Sequence, residues 1–253
     1  MRAYVRGVLC VVFVAVISTA AFAVDGVVLI NQNSALAGIG GCDTPGFPIT
    51  ICQPGSYRLS GNLTVPNANT EGIDITADNV SLDLNGFSII GSVTCGDPPG
   101  GLCSTSGSGD GVFSLKDNVT IRNGSVMGMG NIGVHLLGVG GLVEEVHAKF
   151  NSNIGIYLSG GTVRRSAGLR NGFYGIFVSA GVLEASTAQG NGYGLVAEHS
   201  TVIGNTSFRN ANGLYATYSV YGSNSLQGNQ SQDVIDGGSA VSQNNNICTN
   251  GQC

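Results

Sequence analysis

Short runs of alternating apolar and polar residues recur through the second half of the chain and can be aligned as a repeat. Each of five consecutive segments contains a Gly followed by an aliphatic residue, at Gly133, Gly155, Gly175, Gly194 and Gly213. Successive glycines are 22, 20, 19 and 19 residues apart. Each segment closes on an Asn, at Asn151, Asn171, Asn191, Asn210 and Asn229. A fixed period of about twenty residues is typical of stacked solenoid architectures.

The alternation within each segment assigns side chains to the inside or the outside of the stack. The first and third residues after each Gly are predicted to point inwards: Val134 and Leu136, Ile156 and Leu158, Ile176 and Val178, Leu195 and Ala197, Leu214 and Ala216. A second inward position lies eight residues before each closing Asn, at Val143, Val163, Leu183, Val202 and Tyr221. Leucine-rich repeats and propeller blades do not fit, because the fixed Leu positions are absent and blades need about twice the length. The pattern therefore predicts an all-β parallel β-helix, with strands of neighbouring coils paired about 4.8 Å apart.

Upstream, the segments that begin at Gly72 and Gly111 share the sequence Asp-Asn-Val and lie 39 residues apart. That separation fits two coils, or one coil with an inserted loop. Residues 92–110 are rich in Gly, Ser and Pro, so we expect an inserted loop there rather than strands. The Asn and Gly residues at the corners of the coils are expected to take left-handed backbone angles, which both residue types tolerate.

The first 23 residues have the pattern of a cleaved signal peptide. Arg2 and Arg6 precede an apolar run over 8–17, and Ala21-Phe22-Ala23 forms a cleavage site of small residues. The apolar run is too short to cross a bilayer, so no membrane span is expected after cleavage. Loss of the two arginines takes the formal net charge from −5 to −7, and the remaining Lys and Arg are scattered. This argues against nucleic acid as a partner and predicts a secreted or periplasmic protein.

Six cysteines remain outside the predicted signal peptide, and disulfides form in the oxidising environment that an exported chain meets. They fall into three close pairs, which predicts the local bridges Cys42–Cys52, Cys95–Cys103 and Cys248–Cys253. A zinc site is the alternative, but the spacing is irregular and no His lies nearby. We therefore predict no metal site and no cofactor.

The sequences ITICQPGSYRLSGNLTV at 49–65 and ITADNVSLDLNGFSIIG at 75–91 resemble the opening coils of pectin-lyase-like right-handed β-helix proteins, exported bacterial ones in particular. The resemblance implies a right-handed parallel β-helix of roughly eight to nine coils with a short N-terminal cap. The expected division is a cap and first segment over 24–57, the β-helix over 58–247 with its loop at 92–110, and a disulfide-closed tail over 248–253.

The cap that the resemblance implies is expected to be a short helix within 28–40. Its apolar residues Leu29, Ala35, Leu36 and Ile39 are predicted to turn inwards and cover the first coil. Such a cap protects the open end of a stack from pairing with another chain.

The same resemblance directs a search for catalytic groups, because the superfamily includes lyases, hydrolases and epimerases as well as non-catalytic adhesins. The paired Asp, Gly-His-Gly and Arg-x-Lys pattern of its hydrolases is absent, and so is the Asp-Pro-His pattern of its alginate-processing members. Asp74 and Asp83, with Arg122 nearby, are the best carboxylate group available. Their alternative interpretation is a surface ion pair plus a corner residue.

Two outward columns of the predicted stack are informative. One reads Glu144, Arg164 and Glu184 in successive coils, with Glu145 over Arg165 beside it, so opposite charges alternate and would fix the register. The other reads His135, Tyr157, Phe177, Val196 and Tyr215. A column of exposed, contiguous rings suits sugar faces, another protein or a covering segment, and the alternative is simple strand propensity.

These features favour an exported non-catalytic β-helix scaffold that is adhesive or carbohydrate-binding. Its expected ligand residues are His135, Tyr157, Phe177 and Tyr215, and its expected partner is a polysaccharide or a surface protein. The alternative is a polysaccharide lyase or glycoside hydrolase that acts on extracellular or cell-wall glycans. No lyase or hydrolase signature is found, and the acidic charge disfavours pectin-like or alginate-like substrates.

Overall fold

The computed structural model describes residues 26–96, 103–104, 106–249 and 253. The predicted signal peptide over residues 1–23 lies outside the described residues. In chain order the elements are β1 (Val28–Ile30), α1 (Gln32–Ala37), β2 (Ile49–Ile51), β3 (Gly55–Leu59), β4 (Leu63–Thr64), β5 (Ile73–Ile75), β6 (Val80–Asp83), β7 (Ser88–Ile90), β8 (Val112–Ser114), β9 (Thr120–Met127), β10 (Val134–Leu136), β11 (Leu142–Lys149), β12 (Ile154–Ser159), β13 (Thr162–Arg164), β14 (Ala167–Leu169), β15 (Tyr174–Ser179), β16 (Val182–Glu184), β17 (Thr187–Gln189), β18 (Tyr193–Glu198), β19 (Thr201–Ile203), β20 (Thr206–Phe208), β21 (Asn212–Thr217), β22 (Val220–Gly222), β23 (Ser225–Gln227), β24 (Gln232–Gly238), β25 (Val241–Ser242) and β26 (Ile247–Cys248).

The strands form a parallel β-solenoid with two sheets. The front sheet has nine strands in the order β2-β5-β8-β10-β12-β15-β18-β21-β24, one from each successive coil. The back sheet has 17 strands and collects the other strands of every coil. Each strand pairs in parallel with its counterpart one coil away, as when Ile156 of β12 pairs with Ile176 of β15. The predicted all-β parallel β-helix is confirmed. Among the described residues, no helix is long and apolar enough to cross a bilayer.

The core lies between the two sheets and consists of the predicted inward residues. The ten that follow the glycines are at most 1% exposed, and of the five second-strand residues only Tyr221, at 6%, is above 0%. Each buried aliphatic side chain stabilises the fold by roughly 1.5–3 kcal/mol. Stacking supplies further contacts from the neighbouring coils, because a single coil cannot hide its apolar side chains alone.

The repeated Gly and Asn residues are needed for close packing rather than for left-handed backbone angles. A Cβ on Gly155 would lie 2.5 Å from the carbonyl oxygen of Gly175 and 2.6 Å from Nδ2 of Asn171, so the Asn amide fills the space that a side chain would need. The left-handed position is instead the residue before each closing Asn, at Phe150, Arg170, Gly190, Arg209 and Gly228. The prediction of left-handed angles at the closing Asn residues is therefore wrong.

The closing Asn residues form a buried ladder of hydrogen bonds along the helix axis. In Asn171 the backbone N–H and Nδ2 both donate to Oδ1 of Asn191, over 2.8 and 3.1 Å. Nδ2 of Asn171 also donates to the carbonyl of Ala148 over 3.1 Å. Buried amides of this kind must be paired, and the ladder pairs each one with the next coil.

The described residues between β7 and β8 form a loop without a named strand. Ile73 of β5 pairs directly with Val112 of β8, so the 39 residues between Gly72 and Gly111 form a single coil. The described part of the loop lies against the side of the stack, where the N–H of Gly107 donates to the carbonyl of Gly130.

The N-terminal cap differs from the prediction in two residues. β1 already pairs with β3, and α1 follows with Asn31 as its N-cap, accepting from the N–H groups of Asn33 and Ser34. Ala35 is buried and Ile39 packs against the core, but Leu29 and Leu36 are 56% and 58% exposed. The prediction that both leucines turn inwards is wrong, because Ile30 covers the first coil from the strand instead.

The three predicted disulfides are confirmed. Cys42–Cys52 closes a loop in the N-terminal cap, and Cys95–Cys103 closes the inserted loop. Cys248–Cys253 closes the last coil, where β26 pairs with β23.

Candidate functional site

The outward side of the front sheet, here called the front face, carries two neighbouring columns of side chains. The ring column stacks in register as Phe113, His135, Tyr157, Phe177, Val196 and Tyr215. The flanking column consists of the residues that precede the repeat glycines and, in the last coil, of Gln232, which precedes Asp233: Glu71, Asp110, Ile132, Ile154, Tyr174, Tyr193, Asn212 and Gln232. Asp74 precedes Phe113 in the ring column. The predicted column of His135, Tyr157, Phe177, Val196 and Tyr215 thus exists and is longer than predicted.

The middle of the ring column is a tight stack. The ring centroids of Tyr157 and Phe177 are 4.6 Å apart with planes 5° from parallel, and those of His135 and Tyr157 are 5.1 Å apart at 15°. Rings this close and this parallel lie face against face, so their edges, not their faces, point to solvent. All three residues are half-buried. The faces that would receive a sugar ring are therefore largely occupied by neighbouring rings.

A second group of rings lies beside the end of this stack and is more open. The Glu198 cluster consists of Glu198, Phe173, Tyr174, Tyr193 and Tyr215. Phe173 stacks on Tyr174 at 4.1 Å and is 46% exposed. Tyr193 stands at 76–87° to the rings around it, at 5.6–6.2 Å from their centroids. Burial, followed by the charges of Tyr193, Glu198 and Tyr215, raises the pKa of the Tyr174 hydroxyl.

The opposite end of the ring column is acidic and centres on Asp110. Its Oδ2 lies 2.7 Å from Nδ1 of His135, and its Oδ1 accepts from Nδ2 of Asn131 and the N–H of Ile132, both over 2.9 Å. Because a carboxylate accepts here, Nδ1 of His135 carries the proton. Nε2 of His135 is buried in the ring column and has no hydrogen-bond partner among the described residues.

Two further carboxyl groups adjoin Asp110. Burial raises the pKa of Glu71 first, and the charges of Asp74 and Asp110 raise it further, while His135 lowers it. Burial also raises the pKa of Asp74. Glu71 lines a shallow depression with Phe47, Pro48 and Ser108. This end of the front face therefore concentrates groups whose proton affinity is increased by their surroundings.

Positive side chains are segregated from the front face. The described Lys and Arg residues all lie outside the front sheet: Arg58, Lys116, Arg122, Lys149, Arg164, Arg165, Arg170 and Arg209. On the back sheet an alternating charge column runs in register through Arg58, Asp83, Arg122, Glu144, Arg164 and Glu184. The predicted alternation of Glu144, Arg164 and Glu184 is thus the second half of a longer column.

The three candidate catalytic residues, Asp74, Asp83 and Arg122, do not lie on one face of the protein. Oδ2 of Asp83 lies 3.6 Å from Nε of Arg58 and 3.5 Å from Nη2 of Arg122, so this group is an ion-pair network on the back sheet. Asp74 lies on the front sheet. The structure brings Asp83 and Arg122 together and places Asp74 on a different face. The interpretation as a surface ion pair describes Asp83 and Arg122 well.

Sequence reasoning missed the flanking column and Phe113, although signals for both existed. The residue before each repeat glycine was never aligned as a column, and that column holds Glu71, Asp110, Tyr174 and Tyr193. Aligning Gly111 with Gly133 would have placed Phe113 next to His135. No group of His, Cys, Asp and Glu among the described residues has the geometry of a metal site.

Comparisons with known proteins show a similar fold and assign no reaction or ligand to this chain. No family model and no curated protein sequence matches the chain. Among solved structures, the chain is similar to the A-module of the mannuronan C-5 epimerase AlgE4 from Azotobacter vinelandii, with a TM-score of 0.50 and 14% identity. The similarity covers 71% of this chain and 63% of that module, so the chain spans less than two thirds of the module's length. The similarity therefore shows the fold alone, a right-handed parallel β-helix.

Proposed function

We propose that the protein is an exported glycan-binding β-helix that acts as a non-catalytic scaffold and binds its ligand on the front face. The observation that carries this proposal is the continuous set of ring contacts from Phe113 to Tyr215 along the front face, beside which Phe173 is 46% exposed. Contiguous apolar surface of this kind marks interaction sites. The three disulfides support a secreted or periplasmic location, as the signal-peptide pattern predicts.

The two groups of rings have different parts in this proposal. His135, Tyr157 and Phe177 stack on one another, so they offer edges and the Tyr157 hydroxyl to a ligand. Phe173, Tyr193 and Tyr215 have freer ring faces, on which the apolar C–H side of a pyranose ring can pack. Coils spaced about 4.8 Å apart present these contacts in a row, which suits an extended polysaccharide along the helix axis.

The test is binding to a panel of purified oligosaccharides, measured by glycan array and then by calorimetry. Replacing Phe173 and Tyr193 by Ser should weaken binding at least about ten-fold, the effect of losing a central aromatic contact. Tyr218→Ser is the matched control, because Tyr218 is 60% exposed and lies at a corner outside the front sheet. Equal binding by the double variant and the control would contradict the proposal.

A second candidate function is glycan modification at the acidic end of the ring column. The observation in its favour is the pairing of Asp110 with His135 beside two carboxyl groups of raised pKa. An acid and a base held close together are what glycan hydrolysis requires. Its test is mass spectrometry of the same oligosaccharides after incubation, and loss of any product in Glu71→Gln and His135→Ala would support it. Burial of Nε2 of His135 in the ring column favours binding over catalysis.

A further inference from the structure

The front face holds carboxylates that the protein itself does not neutralise. Among the described carboxyl side chains, Glu71, Asp74, Glu184 and Glu198 have neither a hydrogen bond nor an ion pair. Three of these four lie on the front face, where the described residues include no Lys or Arg. A negative surface without cations attracts positive ligands and repels polyanions.

Glu198 has the most specific surroundings of the three. It lies at the end of β18, in register between Ser179 and Thr217, and its charge is felt by the Tyr174 hydroxyl. Tyr215 lies on the adjacent strand, two positions before the register partner of Glu198, and its ring contacts that of Tyr193, which in turn contacts Tyr174. Phe173 stacks on Tyr174 and completes this group of rings. Aromatic rings attract ammonium groups through their negative faces, and a carboxylate adds a full opposite charge. The Glu198 cluster therefore combines the two features that bind a protonated amine.

The acidic end of the ring column provides a second attractive region on the same face. Asp74 and Glu198 lie in coils five steps apart, or about 24 Å at the spacing of parallel strands. Single amines would occupy one of these regions, whereas a polymer with repeated amines could contact both. Binding at two linked regions strengthens affinity without any new type of contact.

From this charge pattern we infer that the glycan bound on the front face carries protonated amino groups, as in a partly N-deacetylated amino-sugar polymer, with one ammonium on the Glu198 cluster. This inference rests on the proposed glycan-binding function and adds the class of glycan. It also means that polyuronates are rejected, because their carboxylates would meet Glu71, Asp74 and Glu198 without a neutralising cation.

The experiment is calorimetric titration of the full chain with three hexasaccharides of the same length: glucosamine, N-acetylglucosamine and mannuronate. Titrations at pH 6, in low and in high salt, should show the glucosamine hexamer binding about ten-fold or more tightly than the N-acetylated one, with the difference shrinking in high salt. Glu198→Gln should reduce that preference several-fold. Glu184→Gln is the matched control, since Glu184 is also unpaired but lies on the back sheet, and it should leave the preference unchanged.

The possible results distinguish a failure of the amine inference from a failure of the proposed glycan binding. Equal binding of the glucosamine and N-acetylglucosamine hexamers, or binding of the mannuronate hexamer, would overturn the amine inference and leave glycan binding intact. A preference that survives in Glu198→Gln would overturn the assignment to the Glu198 cluster. Binding of a lysine hexapeptide without binding of any hexasaccharide would overturn both, and would assign the face to a basic protein segment.

Discussion

The two sheets of this β-helix bury the same kind of apolar side chain but carry different side chains on their outer faces. Inside, Leu158 of the front sheet and Leu183 of the back sheet are both fully buried in one core. Outside, the back sheet pairs its charges, as between Nε of Arg164 and Oε1 of Glu144 at 3.0 Å. The front sheet instead shows rings and carboxylates, and none of the described Lys and Arg residues lies in its strands.

This difference indicates which surface is available for a ligand. Most charges of the back-sheet column are paired, as those of Asp83 and Glu144 are, so the main effect of the column is to fix the register, because a slip would stack like charges. Unpaired carboxylates and partly exposed rings lower the stability of the protein when no ligand is bound. We infer that the cost is offset when a ligand supplies the missing positive charge.

The largest expected effect concerns what the two sheets share. Leu158→Ala and Leu183→Ala should each lower the free energy of unfolding by about 2–5 kcal/mol, because each leaves a cavity in the same close-packed core. Urea denaturation followed by circular dichroism measures both. A loss below about 1 kcal/mol for either variant would mean that the two sheets do not share one core.

A smaller effect should distinguish the stacked rings from the open ones. Replacing Tyr157 and Phe177 by Ser removes their mutual stack and the contacts with His135 and Tyr174, so stability should fall by about 2–3 kcal/mol. Tyr218→Ser removes one stack, with His199, from an exposed corner and should cost about 1 kcal/mol. If the double variant is as stable as Tyr218→Ser, the ring column is not a structural element.

The fold could be predicted from sequence because the repeat imposes it at every coil. The glycines and closing Asn residues recur at a fixed period, and alternation between them assigns inward residues such as Ile156 without further information. The fate of Leu29 and Leu36 could not be predicted in this way, since the cap occurs once and has no second copy against which to align it. Whether a residue is buried there depends on how β1 pairs with β3.

The candidate site was only partly predictable for a different reason. The column position of Tyr157 and Phe177 follows from the period, but the direction of their ring planes does not. That direction decides whether a ring offers a face to a ligand or gives it to a neighbour. Side-chain rotamers depend on the packing of adjacent coils, so the stack of Tyr157 on Phe177 became visible only in three dimensions.

The charge column should respond to reversal more weakly than the rings respond to truncation. Arg164→Glu puts an acidic side chain between Glu144 and Glu184, so that three lie in succession. It should lower the free energy of unfolding by about 1–2 kcal/mol at low salt. The loss should shrink in high salt, because exposed charges are screened. Arg209→Glu makes the same charge change at an exposed corner and should have less effect. Equal effects of the two reversals would show that the column does not act as a unit.

The smallest expected effect is a gain of stability on the front face. The pKa of Glu71 is raised above its unfolded value of about 4.3, so ionisation is harder in the folded protein and costs stability as pH rises above that value. Glu71→Gln should therefore be slightly more stable than the wild type at pH 7, and the difference should vanish by about pH 3, where the carboxyl is protonated in both states. Thermal unfolding across this pH range measures the difference. Glu145→Gln is the control on the back sheet, where Glu145 is paired with Arg165 at 3.2 Å, and it should give no gain at pH 7. A gain for Glu145→Gln, or none for Glu71→Gln, would mean that the front face does not hold its carboxylates at a cost.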